Sequence, residues 1–323
     1  MAIQGSSGTT ITHSLIEGGQ SDSTSPGLSI TGSASTGTTV TDTQFQSNGL
    51  SAVVMTGGAG HTTLAGDDFW ESRGTAIVAT GSSGDVITGN TVRYAPQGIV
   101  ATAGSTNLTI ADNIVFDELG PAATGPFPGP MVVVDASSTS GTSIHHNVVD
   151  QVRTDDYSAQ IAQPATASQV LGQTDLSGEI VATGPAYSWA GTVYQDASAL
   201  HAKTGQGTAD INADPQFAGP SVLTLRATSP AIDSADSSAP GWQSTDYNDA
   251  ARFHDDQIAT TGTGPVPYAD RGAVEFQGGP TVVAKVTPVT RPGASGDDYG
   301  VQVDLSGSKS PFADIQTYSI GFY

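Results

Sequence analysis

Cysteine is absent from the 323 residues. That removes thiolate metal sites, disulfide frameworks and a thiol nucleophile together. Basic residues are scarce: 10 Lys and Arg stand against 31 Asp and Glu, giving a net charge of −21. Nucleic-acid binding needs Lys and Arg to displace counterions, and anionic membrane surfaces attract the same residues, so neither partner fits. An acidic polysaccharide would need a local basic cluster or a bridging cation. No apolar run is long enough to span a bilayer. The N-terminus, Met1-Ala2-Ile3-Gln4-Gly5, lacks the basic region and apolar core of a signal peptide; it reads as a start inside a repeat array.

Small residues are abundant instead. There are 40 glycines, and charged side chains make up only 13 % of the chain. Such a composition can leave a chain disordered, but the apolar residues recur as β-branched clusters, such as Val53-Val54, Ile77-Val78 and Val132-Val133-Val134. Short clusters between turn residues indicate many short strands.

A repeat runs through the first half. Its unit is an apolar residue, two spacers, a small polar residue, one spacer and an apolar residue. Copies begin at Ile11, Val40, Leu64, Ile87, Ile110 and Ile144, with spacings of 29, 24, 23, 23 and 34 residues. A coil of about 23 residues with insertions fits a solenoid, in which one coil cannot bury its own apolar face and stacking is obligatory. The fourth position is Ser14, Thr43, Asp67, Asn90, Asn113 and Asn147. It is expected at a sharp bend, where Asn tolerates a left-handed backbone and stacked amides bond along the axis. Counting back 13 residues aligns Val54, Ile77, Val100 and Val134 as an upstream strand column, whose inward or outward direction the pattern leaves open.

Ile87-Thr88-Gly89-Asn90-Thr91-Val92 and Gly98-Ile99-Val100 resemble the pectate-lyase-like right-handed parallel β-helix superfamily. The resemblance covers about residues 9–152 and implies fold more than function. Farther on stand Asp214-Pro215-Gln216-Phe217, then Leu225 and Ser229-Pro230-Ala231-Ile232-Asp233. After Asp246 and Arg252 comes Asp270-Arg271-Gly272-Ala273-Val274-Glu275. This series is similar to the C-terminal segment of the β-helix proteins called choice-of-anchor Q, except that Phe253–Ala269 is longer than expected. Ile315–Phe322 and Val301–Ser310 resemble the opening of a PKD domain, an immunoglobulin-like sandwich. These likenesses imply an all-β chain: a right-handed single-stranded parallel β-helix followed by the start of an immunoglobulin-like β-sandwich. The expected divisions are coils over 1–175, a closure segment over 176–277, and a linker with an incomplete PKD-like domain over 278–323. They imply an extracellular or cell-surface bacterial protein.

In the closure segment, Asp196 and Gly205 bracket a short helix. Asp233, Asp246, Arg252, Asp270 and Glu275 read as a polar latch at the end of the solenoid, where strand edges need covering. Calcium is the alternative, because carboxylates and carbonyls are its ligands; no EF-hand spacing is present. His145 and His146 read as a turn-exposed pair, with an acid/base role as the sharper alternative.

Stacking is expected to set Trp70 over Arg93 over Phe116 over Asp150, and Glu71 near Tyr94 near Asp117, beside an insertion over 117–130 that contains Phe127. Carboxylates are what glycoside hydrolysis requires, and aromatic faces suit sugar rings. The candidates are Glu71, Asp117 and Asp150 for catalysis and Trp70, Arg93 and Tyr94 for substrate binding. The bland alternative is a set of solvated loop charges with weak ion pairing. All three lysines (Lys203, Lys285, Lys309) lie outside the coils, leaving a lyase only Arg73, Arg93 and Arg153 as a base. Two functions follow: a polysaccharide-binding or polysaccharide-processing protein (a lyase or glycoside hydrolase), or a non-catalytic surface stalk or adhesin.

Overall fold

The computed structural model describes all residues except 19–24, 118–130, 136, 139, 152–160, 164–173, 178–179, 182–185, 220–221, 256–257, 279–283, 294–295, 307 and 309–323. The chain divides into two compact units, Met1–Phe276 and Gln277–Tyr323.

Three strands per turn of chain stack on their counterparts in the next turn. The first sheet has nine strands, the second seven and the third eight. Every pairing along the solenoid is parallel, until Tyr187–Trp189 turns back on Thr192–Tyr194 to close the first sheet antiparallel. The architecture is a right-handed parallel β-helix, the hand that parallel crossovers adopt. We number its coils by their third-sheet strands: Leu15–Glu17 (coil 1), Gln44–Gln46 (2), Asp68–Trp70 (3), Thr91–Arg93 (4), Ile114–Asp117 (5) and Val148–Gln151 (6).

Strand alternation sorts the residues. Leu28 and Ile30, Val53 and Met55, Ile77 and Ala79, Ile99 and Ala101, and Val132 and Val134 point into the first sheet's share of the core. Val54, Val78, Val100 and Val133 pair with one another on its outer face. The expected column therefore fails at two positions: Ile77 and Val134 are inward residues, not partners of Val54 and Val100. The cause is that loops set each sheet's register separately. The bend-to-bend spacing of 23 becomes 24 and then 22 in the first sheet, and a one-residue slip reverses a strand's faces.

At the bend between the second and third sheets, the asparagine column is aligned and buried. The Asn90 and Asn113 backbone amides donate to Asn113 Oδ1 and Asn147 Oδ1, each at 3.0 Å. Their Nδ2 groups donate to the same oxygens at 2.9 and 2.8 Å. The left-handed residue is not the asparagine but the one before it: Gly89 (φ 63°), Asp112 (51°) and His146 (55°). Asparagine is selected here for its amide, which spans two coils, rather than for its tolerance of positive φ.

Helix α1, Ala197–Thr204, starts where Asp196 Oδ1 accepts from the Ala199 amide at 2.7 Å and stops at left-handed Gly205. The segment that follows does not stay at the solenoid's end. It runs back along the flank and lays Leu223, Leu225, Ile232, Ala273, Val274 and Phe276 on Ile114, Phe116 and Val148 of the third sheet's outer face. The expected latch is present, but on the flank. Arg252 Nη1 meets Glu275 Oε2 at 2.8 Å, both side chains buried. Two of the other carboxylates are held by backbone amides: Asp270 accepts from Asp233 and Phe276, and Asp246 from Asn248, Ala250 and Glu275, while Asp233 accepts from the Thr260 hydroxyl.

His145 and His146 are buried, not turn-exposed. The flanking segment covers them: Gly272 donates to the His146 carbonyl and the Asp236 amide donates to His146 Nε2.

In the second unit, Lys285–Gly293 and Gly296–Asp304 form an antiparallel hairpin, compatible with the opening strands of a sandwich. The PKD-like stretch Ile315–Phe322 lies outside the described residues.

Candidate functional site

The third sheet's outer face has two columns of side chains. Along the solenoid one reads Leu15, Gln44, Asp68, Thr91, Ile114, Val148, and the other reads Glu17, Gln46, Trp70, Arg93, Phe116, Asp150. From coil 2 to coil 4 both are polar or amphipathic, and in coil 1 the apolar Leu15 stands exposed. In coils 5 and 6, Ile114, Val148 and Phe116 are apolar and lie beneath the flanking segment, with Phe116 edge-on to Phe217 at 5.5 Å. The sequence thus decides where the flap docks and where the face stays open.

At the edge of the open part, four of the expected residues meet. The Arg93 guanidinium lies 4.4 Å from the Trp70 ring centroid, and Tyr94 stands edge-on to Trp70 at 4.7 Å. Ser47 Oγ donates to Glu71 Oε2 at 2.9 Å. Arg93 Nη2 also donates to both carboxylate oxygens of Asp68, at 2.7 and 2.8 Å, and Thr91 Oγ1 donates to Asp68 Oδ1 at 2.7 Å. Asp68, two residues before Trp70 and on the same face, is thus a site residue that the sequence reading passed over, although strand alternation makes it findable.

Asp150 stands apart from this cluster, in coil 6, three coils from Glu71. Burial, with the charge of Asp214 adding to it, pushes its carboxyl up to about 6. Asp117 pairs with Gln151 through the backbone; its side chain, Phe127, Arg153 and the 118–130 insertion lie outside the described residues.

Where the flanking segment leaves the sheet, it forms one wall of an open cleft of about 360 Å³. Tyr247, Asn248 and Asp249 face His13, Asp42, Gln44 and Asp68 across it. A second, smaller recess of about 130 Å³ lies between Thr91 and Arg93 on one side and Leu223, Tyr247 and Val274 on the other. Burial, then the Asp68 charge, pushes the Tyr247 hydroxyl up to about 12, so it remains a proton donor. Nothing in the sequence marks Tyr247 as facing Asp68, because the contact joins positions 179 residues apart. Among the described residues no group of three or more His, Asp or Glu side chains is arranged to hold a metal ion, and no helix is long and apolar enough to cross a membrane.

No curated protein and no solved structure matches the chain. The coils themselves are similar to a known family: residues 1–149 match the family model described as right handed beta helix region.

Proposed function

We propose that this β-helix is an extracellular polysaccharide-binding protein, its glycan lying along the uncovered outer face of the third sheet. One observation carries the reading: Trp70, Tyr94, Arg93 and Glu71 gather at the edge of an open face that is otherwise lined by Gln44, Gln46 and Asp68. A half-buried indole braced by a guanidinium is a platform for the apolar face of a sugar. The side chains around it supply hydrogen-bond donors and acceptors. Arg93 is spoken for by Asp68, so its role here is to hold Trp70 rather than to capture a substrate carboxylate. The likeness of the flanking segment to the choice-of-anchor Q pattern, and of the hairpin unit to a PKD opening, supports a place outside the cell.

The geometry favours binding over turnover. At ~4.8 Å per coil, Glu71 and Asp150 stand roughly 14 Å apart, beyond the ~5–9.5 Å that either course of glycoside hydrolysis uses. Asp117 remains a candidate partner for Asp150 within this proposal. The test is a glycan array with Trp70→Ala and Tyr94→Ala. We expect each to weaken a bound glycan tenfold or more, about 1.4 kcal/mol. If a glycan binds and neither change weakens it, the platform is wrong. A chain that serves only as a rigid stalk would bind none.

A further inference from the structure

We infer that the cleft between coils 1–3 and the Tyr247–Asp249 turn is a subsite for an uncharged sugar residue, and that the polysaccharide recognised is neutral rather than uronic. The inference rests on the binding function proposed above and names its substrate class.

The cleft has a structural cause. Farther along the same sheet, the flanking segment packs directly on Ile114, Phe116 and Val148. In the equivalent column of coils 2 and 3 the outward residues are Gln44 and Asp68, whose polar groups offer no apolar packing. The segment therefore turns away, and the about 360 Å³ left open is bounded by groups suited to hydroxyls. The carboxylates of Asp42 and Asp249 accept from sugar hydroxyls. The amides of Gln44 and Asn248 can both accept and donate, and the Tyr247 ring closes one side. This is the inventory that a polyol needs.

Its charge excludes a uronate. Asp42, Asp68 and Asp249 all line the cleft, and among the described residues no Lys or Arg does. The neighbouring Arg93 is held bidentate by Asp68. The one imidazole among the described residues of the lining, that of His13, has its Nε2 3.8 Å from Asp42 Oδ2. A sugar carboxylate placed here would meet carboxylates without a counter-charge, whereas a neutral ring meets acceptors for its hydroxyls.

The experiment measures binding of the whole chain to soluble xylan, mannan and mixed-linkage β-glucan, against polygalacturonate and alginate, at low ionic strength. Asn248→Ala and Asp249→Asn are tested beside Trp70→Ala; both cleft residues are exposed, and an unchanged melting temperature checks their fold. We expect binding to at least one neutral polymer, none to the polyuronates, and a loss of tenfold or more in the double cleft variant. If a polyuronate binds as well as the neutral chains, the inference is overturned. It is also overturned if Trp70→Ala abolishes binding while the cleft variants leave it intact, an outcome in which the platform survives. Absence of binding to every polymer overturns both.

Discussion

Asp67 occupies a place built for an amide. In the ladder, Asn90 and Asn113 each accept on Oδ1 from the coil before and donate through Nδ2 to a carbonyl and to the next Oδ1. Asp67 keeps the accepting half, with Oδ1 taking the Thr43 amide at 2.9 Å. Its Oδ2 is buried and has no partner. Burial pushes this carboxyl well above the usual range. A raised value means that the stability linked to Asp67 is whole below the ordinary carboxylate pKa and is lost as pH rises toward the folded value. We therefore expect Asp67→Asn to stabilise the protein at neutral pH, by roughly 1–3 kcal/mol, and to add little at pH 3. Urea unfolding at the two pH values measures it; a destabilised variant at pH 7 would contradict the argument. Asn113→Ala should do the reverse, costing roughly 2–4 kcal/mol, because it leaves the Asn90 backbone amide buried without its acceptor and removes the Asn113 Nδ2 bonds to Asn147 Oδ1 and the Ile87 carbonyl. The ladder was legible in the sequence because a fixed 23-residue period puts Asn90 and Asn113 in one column. The left-handed column one residue earlier was not, because Asp112 and His146 carry no glycine to announce it.

At the level of elements, the flanking segment is fastened by groups whose protonation opposes one another. Burial pushes Asp112 up to about 7 and His146 down to about 3. Asp112 faces Arg252 and Glu275 as well as His146, whose Nδ1 is 3.9 Å from its Oδ1. His146 in turn faces Arg271, His145 and Asp236. Between about pH 4 and 6.5 the folded pair holds one proton on Asp112, and the unfolded chain holds one on His146. The counts match, so the pair adds little slope to stability in that window. Asp112→Asn removes the balance. Relative to the parent it should gain stability as pH rises from 4 to 7, on the order of 3–4 kcal/mol, and unfolding midpoints across that range test it. Gly272 is the packing counterpart. Its φ is 86°, and a Cβ there would stand 2.9 Å from Val148 Cγ2. Gly272→Ala should loosen the flap, read as faster proteolysis within residues 205–276 while the coils stay protected. Strand content was legible from the β-branched clusters. Docking of the flap was not, because an apolar Ile114 or Val148 on an outer face looks the same in sequence as one in the core.

Across the whole molecule, the two units differ in what they can bury. Met1–Phe276 has a continuous core running from Ile3 to Leu200. The described part of the second unit is one hairpin of two nine-residue strands, and an isolated hairpin is marginal in water. Amide exchange over Lys285–Gly293 should be fast, and solenoid-like protection there would mean that it has found a core of its own. The flap, meanwhile, touches the solenoid at separated levels: Tyr247 beside Asp68 in coil 3, Gly241 against Thr88 and Thr109, and Gly272 against Val148 in coil 6. It therefore works as a ruler. Deleting one period, Thr91–Asn113, would rejoin coils that stack well but set these anchors ~4.8 Å out of step. Coils 3–6 are counted by direct contact, and coils 1 and 2 face the Tyr247–Asp249 turn across the cleft. Repeat number in this lineage should be locked along the whole reach of the strap.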